Sequence, residues 1–355
     1  VSTSLTGAFV TQATNALFQF HFNSCALTES VCIYTDVNQF ASSKHNCKVA
    51  CLQMPYPVDP NFDTLVQDLE KHCDHILILM SELHARTLEF VERNDKDKLV
   101  YFICGELNYK VKNCTVHKFF DWFTTTVHFY KYVKPDTLSV LQPYATKPKY
   151  FDALLGRKKY HRDVAYSRID KDQNIVTYLG DTSCNFSNPN LWIWESDGLI
   201  IDKKIEWTVD RVPYHGHRMS ISQIIPLTVY NQTAYTIVAE TNFDNHYSFY
   251  TEKTVKPIVA KRLFVMYGGQ YQLKNLRALG FKTFDSVIDE SYDNIPDYYE
   301  RFDAVSNQVN FLQSQPQEEI LDKIKPICEH NYNVMMSTDW YGDYFKSEFV
   351  KYFNQ

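Results

Sequence analysis

The stretch AYTIVAETNFDNHYSFYTEKTVKPIVAKRLFVMYGG, residues 234–269, decides how the chain is read. Its first apolar run, Tyr235, Ile237 and Val238, has the composition of a buried strand. A polar, acidic loop follows over 240–248, then a helix that opens at Thr251, then a second apolar run over 263–266. The pattern is β-loop-α-β. Thr251 offers an N-cap hydroxyl, and Glu252 lies in the first turn, where the helix dipole favours a carboxylate. A phosphate is favoured at the same place, because free backbone N–H groups converge there, and Lys253 adds a mobile positive charge. This helix start therefore offers Glu252 to accept from sugar hydroxyls and Lys253 to hold a diphosphate. The plainer reading of the same tripeptide is a capped helix start with a solvated ion pair.

Working outward, 355 residues exceed the usual single domain, so two domains are expected. On the N-terminal side, strand patterns at 31–35, 48–52, 75–80 and 99–104 alternate with helical spacing at 62–72 and 83–93. Residues 1–30 show no clear period apart from a short helix near 13–22. Such alternation predicts a parallel sheet covered on both faces, a Rossmann-like domain without the glycine-rich dinucleotide fingerprint. A second domain begins with a strand at 151–155. Further strands are expected at 175–179 and 282–284, and Pro296 opens a long helix with Phe302, Val305, Val309 and Leu312 on its core face. The expected fold class is α/β, with an N-terminal domain over 1–145, a linker at 143–148, a C-terminal domain over 150–330 and a helical tail over 331–355.

Formal net charge is −6, which argues against a nucleic-acid partner, but the charge is unevenly spread. Between Tyr109 and Arg162 eleven Lys and Arg face three acids, a local balance of +8 that points to one phosphate-facing surface. Rings are interleaved with these charges, as in surfaces that stack bases, so Lys110, Lys112, Lys131, Lys134, Lys158 and Lys159 are candidate DNA contacts. Nine cysteines form no CxxC pair, and the His215 and His217 pair lacks a carboxylate at ligand spacing, so no metal site is expected. Reduced thiols, no apolar run long enough for a membrane helix and no secretion signal suggest a cytoplasmic protein with no membrane partner. In the first domain Asp36, Glu82 and Glu106 follow strand ends, where α/β folds collect ligands. A capping or solvated carboxylate is the alternative for each.

The second half of the chain resembles the fucosyltransferase-like GT-B glycosyltransferases and related phage and giant-virus sugar transferases. The likeness rests on Glu240-Thr241-Asn242, TEKTVKPI at 251–258, LKNLRALGFKTF at 273–284, DESYD at 289–293 and an R-x-x-x-H-R phrase at Arg157 to Arg162; it covers about 150–312. The resemblance implies two Rossmann-like domains facing across a cleft, with the donor in the second and the acceptor in the first, and a last helix that crosses back to the first domain. It implies an inverting, metal-independent transfer of a hexose or pentose from a UDP- or GDP-linked sugar, with no resident cofactor. Arg157, Arg162, Glu240, Thr251, Glu252 and Lys253 would bind the donor. Glu106, with Asp36 as second choice, would deprotonate the acceptor. The basic stretch and the phage likeness make 5-hydroxymethylcytosine in DNA the expected acceptor. A glycan or glycolipid acceptor and a non-catalytic nucleotide-sugar or nucleic-acid binding protein are the alternatives.

Overall fold

A computed structural model describes residues 5–55, 59–133, 135–180, 211–212, 217–218 and 224–354. The chain divides into two compact units, Val1–Asp121 with Asp339–Gln355, and Trp122–Thr338. Both are α/β.

The first unit carries a six-stranded, all-parallel sheet. Its strands are β1 (Thr6–Val10), β2 (Val31–Tyr34), β3 (Cys47–Gln53), β4 (His75–Met80), β5 (Leu99–Cys104) and β6 (Thr115–Phe119), in the order β2-β1-β3-β4-β5-β6. The inner strands β4 and β5, HILILM and LVYFIC, are continuous apolar runs because a parallel sheet is covered on both faces. Helices α1 (Asn15–Ser24), α2 (Val37–Ser42), α3 (Phe62–Glu70) and α4 (Ala85–Arg93) link successive strands. Phe62, Val66 and Leu69 of α3 bury one helical stripe.

Two strands were not expected. The short TGAFV segment of β1 is fully buried but opens on Thr and Gly, so it presents no apolar run to find. The TVHKF segment of β6 closes one edge of the sheet and buries only Phe119, so its composition reads as loop. Residues 339–355 belong to this unit and bury Trp340, Phe345, Phe349 and Phe353. Phe345 lies 5.0 Å from Phe102 of β5, and Thr6 of β1 donates its hydroxyl to the Phe353 carbonyl at 3.3 Å.

The second unit carries a four-stranded parallel sheet. Its strands are β7 (Lys149–Arg157), β8 (Ile175–Gly180), β9 (Thr233–Ala239) and β10 (Phe264–Tyr267), in the order β10-β9-β7-β8. Seven helices belong to the argument: α5 (Asp121–His128), α6 (Tyr160–Arg168), α7 (Leu227–Gln232), α8 (Glu252–Val259), α9 (Gln272–Ala278), α10 (Tyr298–Gln313) and α11 (Gln317–Ser337). Under the sheet lies a buried ion pair. Asp152 accepts from Arg262 at 2.8 Å and from the Thr236 hydroxyl at 2.9 Å, and the other guanidinium N–H groups reach the carbonyls of Tyr230, Thr233 and Tyr235.

This unit begins at Trp122, before the 143–148 segment expected as a linker. The reason is contact: Tyr130 accepts the Ile225 N–H at 2.6 Å, and the Lys147 N–H donates to the Gln317 side chain at 2.8 Å. The strand expected at 282–284 does not form. The Lys282 N–H and carbonyl are both taken by the side chain of Asn331 on α11, at 2.8 Å each, and the Phe284 N–H by the Glu290 carboxylate at 2.7 Å, so side chains stand where ladder partners would.

Candidate functional site

In doubly wound sheets a crevice opens where the strand order reverses, outside the carboxyl ends of the two strands that flank the reversal. In the second unit those strands are β7 and β9, since the chain runs from β7 outward to β8 and then returns past β7 to β9 and β10. The segments leaving β7 and β9 carry Lys159, His161 and Arg162 on one side and Glu240, Thr241 and Asn242 on the other. Sequence expectation and sheet topology meet here.

Glu240 is fully buried at the end of β9. One carboxylate oxygen accepts from the Thr251 N–H at 3.0 Å and the Thr254 hydroxyl at 2.5 Å. The other accepts from the Thr241 N–H at 3.0 Å and the Thr251 hydroxyl at 2.7 Å. Four donors occupy it, so Glu240 acts by holding the start of α8 rather than by reaching a ligand. Thr251 is the N-cap of α8, as expected, its hydroxyl accepting the Lys253 N–H.

Lys253 directs its ammonium to Glu252 at 2.6 Å and to the hydroxyls of Thr251 and Thr241 at 3.2 and 3.3 Å. Glu252 is buried, which pushes its carboxyl up, but Lys253 and Lys256 together outweigh burial and its pKa ends below the ordinary value. Lys159 donates to the Thr241 carbonyl and to the Asn242 side chain. Three cationic groups thus converge on the loop after β9. The third, Arg162, is buried and donates to the Glu240 carbonyl at 3.2 Å; burial lowers its pKa, yet a guanidinium stays charged.

Next to it His161, fully buried, has its pKa lowered to about 3 by burial and by the adjacent Arg162. The neutral ring therefore donates Nε2–H to the Glu240 carbonyl at 2.7 Å. Close packing fixes this corner. A Cβ on Gly156 would stand 3.3 Å from the Arg162 guanidinium, and one on Gly269 would stand 2.1 Å from the Asp244 carbonyl. Arg301, unnoticed in the sequence because it sits within the apolar spacing of α10, is also buried and donates to the carbonyls of Gly268 and Ile295, fixing the turn after β10.

In the first unit Glu106 pairs with Lys118 at 3.1 Å. Together with Tyr109 and Lys110 they line a cavity of about 380 Å³ just beyond β5. Asp36 is elsewhere. It is exposed, caps α2 by accepting the Gln39 N–H at 2.8 Å, and follows β2, four strand spacings or roughly 19 Å from β5 across the sheet.

The expected basic surface is divided between the units, Lys110 and Lys112 in the first and Lys131, Lys158 and Lys159 in the second. Lys131 donates to the Met336 carbonyl at 3.2 Å and Lys149 to the Asp172 carbonyl. Lys134, His215 and the three tryptophans 192, 194 and 207 lie outside the described residues, as do the side chains of Arg157 and His217.

In two Asp-x-Asp triplets, a spacing that suits divalent cations, the first carboxylate is spent on backbone. Asp95 accepts the N–H groups of Lys112, Asn113 and Cys114, which holds its pKa far below normal, and Asp170 accepts the Asp172 N–H. Among the described residues no group of three His, Cys, Asp or Glu is placed to hold a metal ion, and no helix is long and apolar enough to cross a membrane. Compared with known families, curated proteins and solved structures, the chain matches none.

Proposed function

We propose that the protein is a GT-B-type glycosyltransferase that moves a sugar from a nucleoside-diphosphate sugar to an acceptor hydroxyl. The observation that carries this reading is the convergence of Lys159, Arg162 and Lys253 on the switch point of the four-stranded sheet, beside the capped start of α8. Glu252 neutralises only Lys253 and Glu240 is filled by its own helix start, so the positive charge of Lys159 and Arg162 beside that ion pair suits a diphosphate. In the reaction the acceptor oxygen attacks the anomeric carbon and gives its proton to Glu106. The bond from that carbon to the diphosphate oxygen breaks, and the electron pair leaves with the nucleotide, whose charge Arg162 and Lys253 stabilise. Glu106 is preferred to Asp36 because it lines a cavity, whereas Asp36 is an exposed cap.

The acceptor proposed first is hydroxymethylcytosine in DNA, whose target base would leave the stack to react. A glycan acceptor is the second reading. It is favoured by the division of the basic stretch between units and by the lysines of that stretch that are spent on carbonyl and carboxylate partners.

The test is mass spectrometry of nucleosides from hydroxymethylcytosine DNA incubated with the protein and a panel of UDP-, GDP- and ADP-sugars. A hexose or pentose mass on that nucleoside is expected, and Lys253→Ala should reduce it at least about a hundredfold, the scale of losing a group that stabilises transition-state charge. Nucleotide binding with no modified nucleoside would move the acceptor to glycans. Absence of both binding and transfer would overturn the enzyme reading.

A further inference from the structure

Large apolar residues left exposed ask for an explanation when they meet in space. Tyr160, 38% exposed at the start of α6, and Tyr299, 51% exposed in the first turn of α10, do so with ring centroids 5.0 Å apart. Tyr298 stands 4.2 Å from Tyr299 and 5.5 Å from Tyr160. Phe243, half-buried on the loop after β9, supports the group at 5.6 Å from Tyr298 and 6.3 Å from Tyr160. Buried Phe302 anchors it from below, 5.6 Å from Phe243. The result is a ring shelf with a fixed base and an open upper edge.

Its position is what gives the shelf meaning. Lys159 and Tyr160 are consecutive, and so are Asn242 and Phe243. Lys159 bonds Thr241 and Asn242, while the very next residues on both segments, Tyr160 and Phe243, bring their rings together. Cationic and aromatic surfaces therefore adjoin along the same two segments, one residue apart. A nucleoside diphosphate has the same succession, two charged phosphates and then, one ribose away, a flat ring.

We propose that Tyr298 and Tyr299, tilted by 33° from one another, supply the stacking face for the base of a nucleoside diphosphate, with Tyr160 as its wall, standing edge-on at 79° and 72° to them, and that the phosphates lie on Lys159, Arg162 and Lys253; this rests on the donor-site reading above. Stacking on aromatic faces tolerates any base, so the platform supplies affinity for nucleotide over bare diphosphate rather than a choice between uracil and guanine.

Calorimetric titration of the full chain with UDP, GDP and inorganic pyrophosphate tests it. The wild type should bind at least one nucleotide more tightly than pyrophosphate. Tyr160→Ala and Tyr299→Ala should each weaken that nucleotide about tenfold and leave pyrophosphate unchanged, and Tyr160→Phe, which keeps the ring, should bind as the wild type does. Tyr299 is the more exposed of the two, so its substitution keeps the test independent of folding at Tyr160. Nucleotide affinity unchanged in both alanine variants, or pyrophosphate lost in parallel, would overturn the platform and leave the phosphate site standing. No binding of any of the three ligands would overturn platform and donor site together.

Discussion

A buried carboxylate can be silenced in two ways, and this chain uses both. Glu240 is filled by four donors, whereas Glu290, just before the short Ser291–Asn294 helix, keeps a proton near neutrality. Burial raises the Glu290 pKa from 4.5 to about 7 against the pull of Thr283, the Phe284 N–H and Arg277. Between those values the folded state binds more protons than the unfolded one, so this group's contribution to stability falls as pH rises, by about 3 kcal/mol in all. His161 acts in the opposite sense, since its lowered pKa, about 3 against 6.5, makes its contribution rise with pH over that range. The difference between variants therefore carries the prediction. Relative to wild type, Glu290→Gln should gain urea stability steadily between pH 5 and pH 7.5, and a constant offset would show that Glu290 is ionised throughout. At this scale the sequence was informative about residue type and poor on direction. That Thr251 caps a helix was legible from TEK, but Glu240 was expected to bind the donor, and its turning inward onto that helix start depends on Thr254, whose hydroxyl no motif singled out.

The elements were found where continuous burial is carried by apolar side chains, which the fully buried β1, opening on Thr and Gly, does not offer. HILILM and LVYFIC announce β4 and β5 because both faces of each strand are covered, and Thr251 announces α8 because a threonine hydroxyl is a favoured N-cap acceptor. They were missed where burial is one-sided, as in β6, or where a side chain replaces a backbone partner, as Asn331 does for Lys282. Asp152 and Arg262 belong to the same class, an ion pair between β7 and the turn before β10 that no local pattern reveals. Arg262→Met should cost about 3–5 kcal/mol, because Asp152 keeps only the Thr233 and Thr236 hydroxyls and loses its charge partner, and the carbonyls of Tyr230, Thr233 and Tyr235 lose a side-chain donor inside the core. Chemical denaturation of the variant checks it, and a loss under about 1 kcal/mol would mean that water or repacking replaces the guanidinium.

For the molecule as a whole, the telling segment is 339–355, which leaves the second unit after α11 and packs into the first. Its buried Phe345, Phe349 and Phe353 sit among residues of α1 and β5, with rings such as Phe22 at 5.4 Å from Phe353, and its Trp340 lies 5.7 Å from Phe120. A chain ending at residue 338 should keep the second unit folded and lose protection of the first against limited proteolysis, and a synthetic 339–355 peptide should restore it; equal resistance without the segment would show that the first unit is complete on its own. The α/β class and the helical tail were readable from periodicity, while the boundary at Trp122 was not, since it is set by partners such as Ile225 and Gln317 that lie far along the chain.

A unit built from both ends of this stretch has a consequence for synthesis. Domains made on the ribosome generally fold in the order in which they emerge. Here the first sheet is translated early but waits for its last aromatic layer until residue 353 has left the exit tunnel, so the second unit can be finished before the first. During that interval the apolar surface around Phe22 and Phe102 stands open, which makes the nascent first unit the part of this protein that a chaperone would hold.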